Sequence, residues 1–165
     1  MVLVYAFSNR WGTNAARRVL NEWEKISQRV DWEFRPVYFY PQEFFRKQIE
    51  GRKPELIIGL GDGMGEKVRI ETRAKNSYNE RPIEALSPIW LDLSMPEVDN
   101  IDGRQFEISG NMGSFNCNWM AYKIEWYIRR HSLETRQLFL HIPRRILAGE
   151  TAGEIERLVK ENGIV

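Results

Sequence analysis

The chain has 165 residues, with 24 Lys and Arg set against 23 Asp and Glu for a formal net charge of +1 at pH 7. That length suits a single domain over residues 1–165 with a real hydrophobic core, and the charge balance provides no basic face for nucleic acid or anionic lipid. One cysteine cannot close an internal disulfide, which fits a cytoplasmic location and leaves a free thiol, while Met1 to Phe7 is apolar but short and has no basic segment before it, and no other run approaches the length of a membrane span.

Val2 to Phe7 is continuously apolar and reads as a buried strand. It ends in a turn-rich loop, Ser8 to Asn14, at the strand end where open α/β sheets place ligands. A helix follows, with Ala15, Val19, Leu20, Trp23 and Ile26 along one face. Trp32 to Tyr38 reads as a second strand, and Pro41 to Ile49 as a helix opened by its proline. Glu55 to Leu60 is another buried strand, running into the glycine-rich loop Gly59 to Gly65. That loop lacks the lysine-bearing spacing of a phosphate loop, and strand rather than helix follows it, so nucleotide binding is rejected. Lys67 to Lys75 alternates, with Val68, Ile70, Thr72 and Ala74 on one face and Lys67, Arg69, Glu71, Arg73 and Lys75 on the other. By itself this is a half-exposed strand on which Glu71 neutralises adjacent arginines. Residues 82–106 form a loop-rich connection around the short apolar piece Ile89 to Leu93. Arg104 to Ile108 reads as a strand, a helix runs from near Ser114 towards Arg130, Gln137 to Leu140 is a strand, and Glu150 to Asn162 is a closing amphipathic helix. The alternation predicts a three-layer α/β/α sandwich around a mostly parallel, mixed, twisted sheet.

Ser109 to His141 holds the only cysteine and both histidines. Cys117 falls in the first turn of its helix, where free N–H groups and the positive dipole end favour a thiolate; the plain alternative is an ordinary buried cysteine. His131 lies fourteen residues further on, roughly 21 Å away along a helix rising about 1.5 Å per residue, and reads as a helix-end residue beside Arg129 and Arg130. His141 closes a strand that can return beside Cys117. A cysteine, a histidine base and an acidic orienter form a nucleophilic arrangement defined by geometry rather than chain order. Zinc held by Cys117 and the two histidines is disfavoured by that separation and by the absence of a nearby acidic cluster. No metal or cofactor is expected.

The run SerGlyAsnMetGlySerPheAsnCysAsn (109–118) resembles the SxxAGxYLCN signature of the pyroglutamyl peptidases, cysteine peptidases that remove an N-terminal pyroglutamate. Ser109, Gly113, Cys117 and Asn118 match, with Phe115 in place of Tyr, Met112 of Ala and Asn116 of Leu. PheLeuHisIlePro (139–143) is similar to the FxHxP block that carries the family histidine, and IleGluThrArgAlaLysAsn (70–76) to its VERVAIN run. The resemblance implies a Cys117–His141–Glu71 triad, with Arg81 helping to hold the oxyanion. It makes the Phe7–Asn14 loop and the Gly59–Gly65 loop walls of the substrate site, with Phe7, Trp11, Asn14 and Leu60 as candidate substrate contacts. Arg10 stands where the family has its second aromatic, and Trp11 is the candidate replacement; the plain readings of Trp11 and Asn14 are a packing residue and a helix cap. Leu60 and Met64 depart from the family loop, and residues 82–106 are shorter than the family's connection.

The activity so implied is acyl transfer through a thioester, with a peptide or small amide as substrate and neither nucleic acid nor membrane as partner; a homo-oligomer is compatible with the sequence. The alternatives are a hydrolase of the same triad acting on another small acyl group, and a non-catalytic binding module on the same scaffold.

Overall fold

A computed structural model describes residues 1–164. Its first strand, β1 (Val2–Phe7), is a run of apolar residues buried on both faces. Such a strand must be central, and it pairs in parallel with β2 (Trp32–Val37) on one side and β3 (Leu56–Gly63) on the other. Further along the chain come β4 (Val68–Glu71), β5 (Arg73–Lys75), β6 (Trp90–Asp92), β7 (Phe106–Ser109) and β8 (Arg136–Pro143). The main sheet has the order β2-β1-β3-β8-β4-β7. Its first four strands are parallel, whereas β4 runs antiparallel to β8 and carries β7 parallel to itself. The sheet is therefore mixed, and β5 and β6 form a separate two-stranded ribbon.

Alternation along the strands sends side chains to two cores. Val2, Val4, Ala6, Ile58 and Leu60 face helices α1 (Ala15–Ile26) and α4 (Ala148–Glu161). The indole N–H of Trp23 on α1 donates to Glu156 on α4 at 2.7 Å, tying those helices together. Leu3, Tyr5, Ile57 and Phe139 face the other layer, built from α2 (Pro41–Phe44), the π-helical turn that continues it over Phe45–Ile49, and α3 (Asn116–Arg130). The expected three-layer α/β/α sandwich is the observed one. Among the described residues no helix is long and apolar enough to cross a membrane.

Two boundaries differ from expectation for physical reasons. The stretch 67–75 is not one strand: Thr72 donates and accepts hydrogen bonds at the break, to Ser109 and from Leu93, and β5 leaves the main sheet for the ribbon. The glycine stretch is not a loop until Met64, because β3 continues to Gly63, paired with β8 throughout. Gly59, Gly61 and Gly63 alternate on the face towards α3, and there they make room. A Cβ at Gly59 would meet Tyr5 Oη at 2.5 Å, and one at Gly63 would meet His141 Cβ at 2.8 Å.

Candidate active site

The carboxyl ends of the parallel strands β1, β3 and β8 converge beneath the start of α3, so Phe7, Asp62 and His141 come together with Cys117. The registers explain the rest. Gly61 on β3 is the Cα partner of His141 on β8, and on the opposite side His141 faces Arg69 of antiparallel β4. Glu71 lies two residues along β4 from Arg69, on the same face and diagonal to His141, within reach of a long side chain. Its Oε1 is 2.7 Å from His141 Nδ1. With Glu71 ionised, Nδ1–H must be the donor, which leaves Nε2 with its lone pair.

Glu71 is completely buried, and its Oε2 has no partner among the described residues. Arg69 Nε approaches Oε1 at 3.5 Å. The reading of Glu71 as a half-exposed charge neutralising arginines is thus corrected in its exposure: the strand is covered on the side where Glu71 points, and the imidazole is its shorter contact. Cys117, the second residue of α3, is half-buried. A Cβ placed on Gly61 would lie 2.6 Å from Cys117 Sγ and 3.3 Å from His141 Cδ2. Thiol and imidazole therefore flank a single point on β3.

The thiol is not the thiolate that a helix start suggests. Burial first, then the charges of Asp62 and Glu71, push the Cys117 thiol up from its ordinary 9.0 to about 12. The helix end contributes roughly half a positive charge against two full negative ones, and desolvation adds to the negative side. Burial and the neighbouring thiol likewise push the Tyr5 hydroxyl well above its usual range.

Beside Cys117 opens a cavity of about 360 Å³, lined by Phe7, Ser8, Asn9, Asn14, Tyr38, Phe39, Asp62, Phe115, Asn116 and Cys117. Asn14 stands at the N-cap position of α1 but makes no cap hydrogen bond. Its amide instead donates to Phe7 O at 2.9 Å and to Asp62 Oδ1 at 3.0 Å, while its Oδ1 accepts from Asn9 N at 2.9 Å. Asp62 takes over the cap by accepting from Ala16 N at 2.8 Å.

Of the candidates, Phe7, Asn14 and Cys117 line the cavity, His141 and Glu71 lie behind it on β8 and β4 and are not part of its lining, and Leu60, Trp11 and Arg81 lie elsewhere. Leu60 is fully buried on the opposite face of β3, in the core under α1 and α4, because strand alternation sends it away from Gly61. Trp11 is 77 % exposed and has the Arg10 guanidinium 5.9 Å from its ring. Arg81 is exposed at the end of a turn closed by backbone hydrogen bonds with Tyr78, and its side chain has no hydrogen-bond or ion-pair partner among the described residues. His131 sits at the far end of α3, packed against Tyr127 with ring centroids 4.5 Å apart and the planes tilted by 50°. Asn118 is an anchor: buried in α3, it accepts from Lys75 N at 2.7 Å and donates to Lys75 O and Ser77 O, each at 2.8 Å.

Asp62 was not among the sequence candidates, nor were Tyr38 and Phe39, which close the far wall of the cavity. An aspartate between glycines at the end of a buried strand was the available signal for the first. The two aromatics follow β2 with nothing in their spacing to mark them.

Solved structures share this fold over nearly the whole chain. Pyroglutamyl peptidase I from Bacillus amyloliquefaciens gives a TM-score of 0.79 at 20% identity, covering 99% of this chain and 94% of that one. The fold is that of the pyroglutamyl peptidases. The pyrrolidone carboxyl peptidase from Thermococcus litoralis gives 0.77 at 15% identity, covering 99% and 92%. In sequence, the pyrrolidone-carboxylate peptidase of Bacillus mycoides is 24% identical over 145 residues, 76% of this chain. The Bacillus licheniformis enzyme of the same name is 25% identical over 126 residues, 65% of this chain. The match spans 65% of the length of the first relative and 58% of the second. No family model matches the chain. The resemblance read from the three motif blocks agrees with both comparisons.

Proposed function

We propose that the chain is a cysteine peptidase or amide hydrolase that removes an N-terminal pyroglutamyl or similarly small acyl group. The observation that carries this reading is the buried Glu71–His141 contact of 2.7 Å, whose imidazole flanks the same β3 glycine as the Cys117 thiol. Similarity to enzymes named pyrrolidone-carboxylate peptidase supports the substrate class.

In this mechanism His141 Nε2 takes the proton from Cys117 as Sγ attacks the amide carbonyl, since a thiol held at about 12 needs a base at the moment of attack. Glu71 stabilises the imidazolium that results. The tetrahedral oxyanion is held by the backbone N–H of Cys117 at the start of α3; the resemblance adds Arg81, which would have to swing in from its exposed turn. Collapse breaks the C–N bond, with the Nε2 proton going to the departing amine. Water then adds to the thioester, gives a proton to Nε2, and releases the acid and the Cys117 thiol. A thiol nucleophile suits a reducing cytoplasm.

A second reading keeps this chemistry on a different acyl group, and the specific observation favouring it is the carboxylate of Asp62 in the cavity wall. The test of the proposal is release of a fluorogenic amine from a pyroglutamyl amide, with Cys117→Ala as control. Turnover that vanishes in the variant is the expected result. Absent turnover on pyroglutamyl and on other small acyl arylamides alike would leave a binding module on the same scaffold.

A further inference from the structure

The cavity beside Cys117 carries one charged wall residue. Asp62 Oδ1 is committed to Asn14 Nδ2 and Ala16 N, while Oδ2 has no hydrogen bond among the described residues. Neither oxygen is in an ion pair there, and the cavity lining contains no Lys, Arg or His. The end of α1 offsets part of the charge, roughly half a unit at most. What remains is a negative point in an open pocket lined by Phe7 and by the exposed aromatics Tyr38, Phe39 and Phe115, a residue type whose ring faces attract cations. The free Oδ2 is left facing outward from those two hydrogen bonds, where a cationic group of a ligand could reach it.

We propose that Asp62 is a specificity-determining residue which makes this pocket select an N-terminal acyl group bearing a free, protonated α-amine over the neutral lactam of pyroglutamate. The inference rests on the acyl-transfer reading above and narrows its substrate class. Proline is the member of that class closest in shape to pyroglutamate, with a ring CH2 replacing the ring carbonyl and an ammonium replacing the lactam N–H. The α-nitrogen of any N-terminal residue lies two bonds from the carbonyl carbon that Cys117 would attack, so its acceptor must stand beside the thiol. Asp62 stands there: its carboxylate and the Cys117 thiol line the same cavity. A bound ammonium would cancel that charge and ease thiol ionisation only when substrate is present.

The test measures binding, so that it does not depend on turnover. Calorimetry on Cys117→Ala protein would compare L-prolinamide, L-pyroglutamide and the neutral ring isostere cyclopentanecarboxamide, with and without Asp62→Asn. The expected result is prolinamide binding at least 10-fold more tightly than either neutral amide, with the preference reduced at least 10-fold by Asp62→Asn. Asparagine keeps an oxygen for Ala16 N, and the ligand series removes the cation without altering the protein should that variant misfold. Equal binding of the three amides, preference for pyroglutamide, or no binding of any would each overturn the inference. The hydrolase reading fails separately: protein with Cys117 intact would bind prolinamide yet cleave neither prolyl nor pyroglutamyl arylamides. Brisk pyroglutamyl cleavage unaffected by Asp62→Asn would leave the hydrolase standing and sink the role of Asp62.

Discussion

Replacing Gly61 with alanine would place a methyl group 2.6 Å from Cys117 Sγ, 3.2 Å from Phe139 Cζ and 3.3 Å from His141 Cδ2. Relaxed contacts between such atoms lie at about 3.5–4.0 Å, so the thiol must retreat by roughly 1 Å, or β3 must shift within a sheet bonded on both sides. Misplacing a reacting group by about 1 Å costs on the order of 10²-fold in rate, and overpacking a tight interior costs about 1–3 kcal/mol. For a chain of this size that corresponds to a fall in Tm of about 2–4 °C per kcal/mol. Gly59→Ala is the matched comparison. Its methyl would meet Tyr5 Oη, Phe139 Cδ2 and Tyr5 Cζ at 2.5–2.6 Å, atoms of rigid rings with no flexible end to yield. The Gly59 variant should therefore lose more stability, while the Gly61 variant should lose more activity relative to its stability. Thermal melts and cleavage of the best arylamide substrate measure the pair. A Gly61→Ala protein melting within 1 °C of the parent and cleaving within about twofold of it would refute the claim that β3 supplies a glycine-smooth floor for the thiol and imidazole.

Glu71→Gln should lower kcat by about 10²–10⁴-fold, because the imidazolium loses its counter-charge, yet it should also ease Cys117 ionisation, since Glu71 helps to hold the thiol up. Kinetics and thiolate absorbance would show opposite trends, which simple unfolding would not produce. The raised thiol also sets a pH dependence. Unfolded protein loses the Cys117 proton near its ordinary 9.0 and folded protein near 12, so stability should fall as pH rises through that window. Denaturant titrations between pH 8 and 11, measured against Cys117→Ala, should show the steeper alkaline loss in the parent; equal slopes would contradict the burial of the thiol. Arg81→Ala should change kcat/KM by less than about threefold given its exposed turn. A loss of the 10²-fold size typical of a missing oxyanion donor would mean that the Arg81 side chain moves to the substrate.

The local chemistry of the chain was legible in the sequence. Apolar runs identified β1, β3 and β8 as buried strands, helical spacing located α1, α3 and α4, and the resemblance of three blocks to pyroglutamyl peptidase motifs, rather than any local pattern, singled out Glu71 beside Cys117 and His141, which the structure brings to one place. The reason is that periodicity and short motifs depend on neighbours a few residues apart, which a sequence displays directly. What depended on distant strands was not visible. Whether Glu71 is exposed or buried follows from β4 running antiparallel beside β8, a pairing that no local pattern encodes. Leu60 and Asp62 are two residues apart, and only the extension of β3 through the glycines decides that the leucine enters the core while the aspartate reaches the cavity. Likewise a helix start by itself favours a thiolate, whereas Cys117 meets burial and the carboxylates of Asp62 and Glu71, brought from two other strands. Charges so placed act through space rather than along the chain, so the upward push on the Cys117 thiol comes from the tertiary structure.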